Sequence, residues 1–372
     1  MFKVKEANIG SRGLFIILSI LLLTKLFLGT PRAMAMEGNS AACLLILAAT
    51  FVAAPGVFVL VKLLKRFPGQ NLVQIAEIVW GRAGAIAVSL LVSTFFLLLA
   101  ILIVREFAET VLTTVLPRTP ISVIAFLYIV AMLVGAYNGL EVITRTSTLL
   151  FPFILAGIFS ILLLTVNFLD LNSLFPILGS GPKTIALHSL GRSSLYMELL
   201  FAGLIASNLD DPGKLPSTVW KAFFVSLIIF LVVELFYIAV LRIGAAQRLY
   251  IPLFQLARLI YLGRFVQRIE SIYIFIWFFI GGLKLTLALY GAAISLSWGF
   301  KIPIFQPLLF PLSMLIFALS FIPPSMAVAI NLDSAILRNY GAIVSWGLPF
   351  VLLSTALIRK KGGGRTEKQK AG

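Results

Sequence analysis

The sequence predicts an all-α polytopic membrane protein of about ten transmembrane helices, and three observations predict it. Of the 372 residues, 60% are hydrophobic and only 12% are charged, with a mean hydropathy of +1.06; a soluble domain of this length needs far more charge on its surface. The apolar residues fall into repeated blocks of about 20, the length of a helix that crosses a hydrocarbon core. These blocks lack the short polar–apolar alternation of a membrane barrel, so the backbone must satisfy its own hydrogen bonds in helices.

The blocks place spans near 14–36, 41–61, 85–109, 120–138, 146–168, 185–208, 220–243, 270–297, 304–328 and 335–358. Residues 1–358 thus form a single transmembrane domain, with spans 1–5 over about 14–168 and spans 6–10 over about 185–358. The ninth span is interrupted by Pro311 and by Pro323-Pro324. Residues 359–372 form a basic, Gly-rich tail with no apolar anchor, expected to be disordered. The first block has basic residues before it, as a signal peptide does, but ends in Thr30-Pro31-Arg32 without a small-residue cleavage site and is expected to be retained.

Thirty Lys and Arg against fourteen Asp and Glu give a formal charge of +16, but the basic residues lie mostly between blocks and at the C-terminus, where they meet lipid headgroups. A nucleic-acid partner is excluded on that ground. Lys3, Lys5 and Arg12 before span 1, Lys62, Lys65, Arg66 and Arg82 after span 2, and Arg359, Lys360, Lys361 and Arg365 after span 10 put both termini on the cytoplasmic side. Arg242, Arg248, Arg258, Arg264 and Arg268 resist that assignment, and 250–263 has the mixed polarity of a short interfacial helix. Cys43 and His188 are the only residues of their kinds, so neither a disulfide within the chain nor a multi-histidine metal centre is expected. No cofactor, metal or catalytic constellation is predicted, and enzymatic activity is the weakest function class.

The spans depart from ordinary apolar helices at a few positions. In span 1, Thr24-Lys25 precedes Gly29-Thr30-Pro31. Pro31 lacks an amide proton and opposes the carbonyl of Phe27, while Gly29 lets the backbone leave helical geometry; such a break exposes carbonyls and amides to a small polar ligand. The alternative is a simple kink or the end of the span. Lys25 either snorkels to an interface or is buried with a partner. Glu198 in span 6, within Tyr196-Met197-Glu198, must face protein or water. Spans 1 and 6 hold equivalent places in two five-helix halves, and we expect Lys25 and Glu198 near one central cavity. Lys284 follows Gly281-Gly282 in span 8, where small residues permit close helix contact. Arg105 and Glu106 are expected to be local or interfacial, Asn208, Asp210 and Asp211 to cap span 6, and Glu141 and Arg145 to pair at i,i+4 between spans 4 and 5.

Thr24-Lys25 with Pro31, Arg66-Phe67-Pro68-Gly69-Gln70, Tyr137-Asn138-Gly139-Leu140-Glu141 with Arg145, Phe151-Pro152, Phe175-Pro176, Glu198 and 263–270 follow one another in an order that resembles the spore germination proteins of the GerAB/GerB family. These are the membrane-embedded B subunits of endospore nutrient germinant receptors. That family is similar to permeases of the amino acid–polyamine–organocation superfamily. The resemblance implies an inverted five-plus-five repeat of spans, with a nutrient bound between spans 1 and 6 beside spans 3 and 8. The ligand-region candidates on residues and resemblance together are Thr24, Lys25, Gly29, Thr30, Pro31, Tyr196, Glu198 and Lys284. Span 6 lacks the central Gly-Pro break of the superfamily, with only Gly191 and Gly203 bracketing Glu198. The resemblance further implies the spore inner membrane, an A subunit and a lipoprotein C subunit as partners, and sensing of a small nutrient, with an amino acid as the expected ligand. An ion-coupled amino acid transporter and a ligand-gated channel are the competing classes.

Overall fold

The computed structural model describes residues 7–261 and 270–362. Six helical stretches are long and apolar enough to cross a bilayer: Thr30–Arg66, Arg82–Thr114, Gly139–Leu164, Pro212–Ala246, Tyr273–Phe300 and Met326–Ile358. The shorter apolar helices Ile121–Tyr137 and Gln306–Leu319 serve as spans 4 and 9. At a rise of about 1.5 Å per residue the latter is roughly 21 Å long, short for a full crossing. Spans 1 and 6 are each assembled from pieces, so the described residues hold the ten-span bundle that the hydropathy predicts.

Span 1 is helical over Ser11–Leu23, tightens to a 3₁₀ turn over Thr24–Phe27, and resumes as Thr30–Gly38. Leu28 between them is extended, with ψ −168°. Pro31 sits in the first turn of the second piece, where its missing amide costs no hydrogen bond. Span 6 breaks too, although it has no Gly-Pro pair: Pro182–Arg192 is α-helical, Ser193–Leu199 is 3₁₀ and Leu200–Leu204 is α-helical again.

The proline and glycine positions set several boundaries differently from the hydropathy. Asn138 and Gly139, the latter at φ +79°, make so tight a turn that span 5 starts at Gly139. Glu141 and Arg145 consequently form their ion pair, 2.5 Å, in the first turns of span 5 instead of in a loop. Pro311 lies inside span 9 without ending it. Pro323 and Pro324 do end that segment, and the last span begins at Met326, nine residues before the predicted start. That span contains two π-helical turns, Asp333–Arg338 and Ile343–Gly347. The gap after span 2 holds a helix, Leu72–Trp80, capped reciprocally by Asn71 and Gln74. The expected helix within 250–263 is Pro252–Arg258, and Pro252, Leu253, Phe254, Leu256 and Ala257 are buried against the bundle. Arg264, Arg268 and residues 363–372 lie outside the described residues, as do Lys3 and Lys5.

Spans 3 and 8 share the most extensive helix–helix interface. Its centre is aromatic: Phe107 stacks on Trp277 with ring centroids 4.5 Å apart and planes at 7°. Gly281 makes room for that stack, because a Cβ there would lie 2.0 Å from the Phe107 ring. Gly282, its neighbour, faces open space. On the face opposite the N-terminus, the segment between spans 5 and 6 closes the bundle, with Ser40 donating to the Pro176 carbonyl (2.6 Å) and the Ser180 amide to that of Gly38 (3.3 Å). On the N-terminal face, Ile9 pairs with the end of span 6 through Asn208 and Asp210. The Gly pair yields a matched test: Gly281→Ala should destabilise the purified protein by about 1–3 kcal/mol, read as a lower unfolding midpoint in detergent, and Gly282→Ala should leave the midpoint unchanged.

Candidate functional site

Breaking a helix in a membrane frees backbone groups that have no water to turn to. In the 3₁₀ stretch of span 6 the carbonyls of Ser194 and Leu195 are met by a single side chain. The Lys25 ammonium, from the 3₁₀ turn of span 1, donates to Leu195 O at 2.7 Å and to Ser194 O at 3.1 Å. Its remaining donor faces Glu198 Oε2 at 2.5 Å. The other carboxylate oxygen, Oε1, accepts from Lys284 Nζ at 2.9 Å. Lys25 is 5% exposed, Lys284 1% and Glu198 0%, so Lys25 is buried with partners and does not snorkel. The two matching breaks are thus cross-linked by one lysine, and a carboxylate ties both to span 8.

Around this triad the other candidates take separate places. Thr30 lines a small, partly enclosed cavity with Lys25, Met34, Arg192, Ser194, Leu195 and Arg338. Gly29 packs next to Ile330 of span 10. Pro31 is buried in the first turn after the break. Thr24 donates to the Ile20 carbonyl of its own helix (2.6 Å). Tyr196 projects from the span 6 break toward span 2, its hydroxyl 2.8 Å from Thr50 Oγ1 and its ring against Phe223. The structure therefore brings together Lys25, Glu198 and Lys284, sets Thr30 beside them, and engages Thr24 and Tyr196 elsewhere.

Several interior charges had not been singled out or had been read as peripheral. Arg192, at the end of the first piece of span 6, forms a two-pronged pair with Glu37 of span 1, its Nε 2.7 Å from Oε2. His188 Nδ1 approaches the same carboxylate at 3.4 Å. Arg338 is paired with Asp333 (2.6 Å) inside the π-helical turn of span 10, and its carbonyl accepts from the Ser194 hydroxyl. Both are buried. With a predicted start at 335, Arg338 looked like the edge of a span; the true start at Met326 puts it well inside. Glu106 is corrected likewise, whereas Arg105 is local, as one of its two readings had it, and not interfacial. Arg105 is buried, pairs with Glu109 and donates to the Pro324 carbonyl (2.9 Å). Glu106 is 2% exposed and lies within electrostatic reach of Asp333, Arg338 and Lys284. Glu234 of span 7 is also buried, and its Oε1 has no hydrogen-bond partner among the described residues. The signal that could have found these residues is the one that found Lys25: charge inside an apolar stretch.

Removing one member of a buried ion pair leaves an uncompensated charge and typically costs about 3–5 kcal/mol. Glu198→Gln strands two ammonium groups, whereas Lys284→Met leaves Glu198 with Lys25. In thermal unfolding of the purified protein, Glu198→Gln is therefore expected to lower the midpoint more than Lys284→Met does.

Comparison with known proteins agrees with this architecture. Residues 8–327 match the model of the Spore_permease family, described as spore germination protein. Spore germination protein KB of Bacillus subtilis (strain 168) is 25% identical over 359 residues, covering 94% of this chain and 93% of its own. Spore germination protein YndE of the same organism is 23% identical, covering 82% and 84%. Among solved structures, Mhp1, a nucleobase-cation-symport-1 family transporter in a closed conformation with bromovinylhydantoin bound, superposes with a TM-score of 0.67 at 13% identity, over 95% of this chain and 80% of that one. This likeness shows a shared transporter fold. The chain is an integral membrane protein with a permease-like fold, and it belongs to the spore germination protein family.

Proposed function

We propose that this protein senses a small nutrient in spore germination, binding it beside the junction of the span 1 and span 6 breaks and signalling by a change in bundle packing. The observation that carries the reading is the buried Lys25–Glu198–Lys284 triad at that junction. A membrane protein needing only stability gains little from such charges, since apolar residues of the same volume serve as well or better. A junction held by ion pairs and two borrowed carbonyl contacts instead has a second arrangement available when a polar ligand competes for those groups. A nutrient that favours one arrangement shifts the population by its differential affinity for the two.

Family membership and the relatives named as spore germination proteins support a place in the germinant response. On this reading an A subunit and a lipoprotein C subunit receive the shift, in the spore inner membrane, with both termini on the core side. The nutrient class is an amino acid, in keeping with the polar, hydrogen-bonding junction. Ion-coupled transport remains the alternative with a structural counterpart, the fold shared with Mhp1.

The test uses spores whose sole copy of the gene carries Lys25→Ala or Glu198→Ala, with the membrane level of the variant checked by immunoblot. Both are expected to need about tenfold or more nutrient for half-maximal germination, equivalent to ~1.4 kcal/mol of lost discrimination. A wild-type dose response in both would remove the site from nutrient sensing. In proteoliposomes, saturable nutrient binding without accumulation is expected; accumulation that depends on an ion gradient would make transport the better reading.

A further inference from the structure

On the N-terminal face the ends of spans 2 and 10 meet, and the meeting point is basic. Arg66 Nε donates to the Lys361 carbonyl at 2.8 Å. That contact sets Lys62, Lys65 and Arg66 at the end of span 2 beside Arg359, Lys360 and Lys361 just after span 10. Two of these cations have partners inside the protein. Arg359 and Lys361 donate to the Val79 and Ile78 carbonyls, each at 2.6 Å, at the C-terminus of helix Leu72–Trp80, where positive charge complements the helix dipole. Glu77 of that helix is committed to Lys301 at 2.8 Å. Lys62, Lys65 and Lys360 are exposed, and none has an acidic partner among the described residues.

Two further observations bear on what these three lysines face. Lys360 has φ +51°, and the amides of Lys360 and Lys361 close the helix on the Leu357 and Ala356 carbonyls. That left-handed position ordinarily takes glycine, so a charge stands where the backbone alone would select none. The cluster also borders apolar surface. Phe51, Phe58 and Lys65 follow at seven-residue spacing, on one stripe of span 2, and Lys62 Nζ lies 5.8 Å from the centre of the Phe58 ring. Phe51 is 81% exposed, Phe58 56%, and Ile358, two residues before Lys360, 80%. A ligand that covers the lysines and continues along either span therefore needs an anionic end and an apolar body. A phospholipid has both; a soluble anion or an acidic peptide has only the first.

We propose that Lys62, Lys65 and Lys360 form a docking site for the headgroup of an anionic phospholipid whose acyl chains lie along Phe51, Phe58 and Ile358. Basic residues at any span end meet headgroups loosely; here charge from two spans converges on one place. Several cations at one spot favour a headgroup with two phosphates over a headgroup with one. The lipid bridges the ends of spans 2 and 10 and so steadies Arg359 and Lys361 on helix Leu72–Trp80. That helix is packed in turn on span 6: a Cβ at Gly203 would lie 2.6 Å from the Leu72 side chain, and Asn71 Nδ2 donates to Ser207 Oγ at 3.3 Å. Lipid occupancy thereby acts on the span that carries Glu198. The site stands whether the protein senses or transports.

The experiment uses the full chain purified in detergent, titrated with diphosphatidylglycerol, phosphatidylglycerol or phosphatidylcholine in mixed micelles. The first two are expected to raise the unfolding midpoint saturably, diphosphatidylglycerol at the lower concentration, and phosphatidylcholine to leave it unchanged. Lys62→Gln, Lys65→Gln and Lys360→Gln should each weaken diphosphatidylglycerol by about fivefold, and the triple variant should lose the stabilisation. Arg12→Gln removes an exposed charge from the same face, in the recess beside Glu141 and Arg145, and should bind the lipid as the parent does. An unaltered response in the triple variant, or an equal loss in Arg12→Gln, would reduce the cluster to diffuse surface charge and overturn the site. Glycerol 3-phosphate, which carries the phosphate without the chains, is expected to give no saturable shift. Stabilisation by it at the concentrations where the lipid acts would make a free phosphate the ligand and remove the lipid assignment. A decaglutamate peptide that stabilises through the same lysines, with no effect of either anionic lipid, would give the patch to a protein partner instead.

Discussion

The arrangement of the bundle depends on one carboxylate. Glu198 has no exposure and receives two ammonium groups, Lys25 on one oxygen and Lys284 on the other. None of the three charges would be tolerated alone at that depth. Together they define where spans 1, 6 and 8 meet, since each lysine reaches the same group only if its span has the right register and rotation. Lys25 also donates to the carbonyls of Ser194 and Leu195, so the same side chain that meets Glu198 is anchored where span 6 leaves α-helical geometry.

This coupling of side-chain charge to backbone irregularity recurs through the interior. Tyr273 donates to the Phe27 carbonyl at the break of span 1 (3.4 Å), and Phe27 stacks on the Tyr273 ring. The Ser194 hydroxyl meets the Arg338 carbonyl in the π-helical turn of span 10. Arg105 meets the Pro324 carbonyl where that span begins, and Glu109, its partner, accepts the Met326 amide at 3.0 Å. At these three points an irregular stretch of backbone is met by a polar side chain from another span. The rigid counterpart is the span 3–span 8 seam, where Phe107, Trp277 and Gly281 interlock. Beside this close-packed seam stands a second, built on ion pairs between spans 1, 6 and 8. There, around spans 1, 6 and 10, lies the cavity lined by Arg192, Arg338 and Thr30.

Much of the candidate site was legible because charge inside an apolar block is rare and expensive: Lys25, Glu198 and Lys284 stand out by composition alone, and Gly29-Thr30-Pro31 marks a break by backbone chemistry alone. Tyr196 did not follow from the same logic. Its place next to Glu198 in the chain suggested a shared cavity, but the break turns its ring to Phe223 and its hydroxyl to Thr50. Asp333 and Arg338 were obscured by a span boundary. A charge near a supposed helix end reads as an interfacial anchor, and only the true start of the last span, after Pro323-Pro324, shows that both lie inside the bundle.

The sequence by itself determined the membrane class, the number of crossings and the break in span 1, because hydrocarbon thickness, backbone hydrogen bonding and proline geometry act locally along the chain. It also determined which charges require partners. Tertiary structure alone decided who those partners are. The break in span 6 has no local signature; it coincides with the point where Lys25, some 170 residues away in the chain, receives its carbonyls. The pairing of one Glu198 with two lysines, and the meeting of Arg192 and Arg338 at one cavity, depend on how ten helices are rotated against each other. No local property of the chain encodes that rotation.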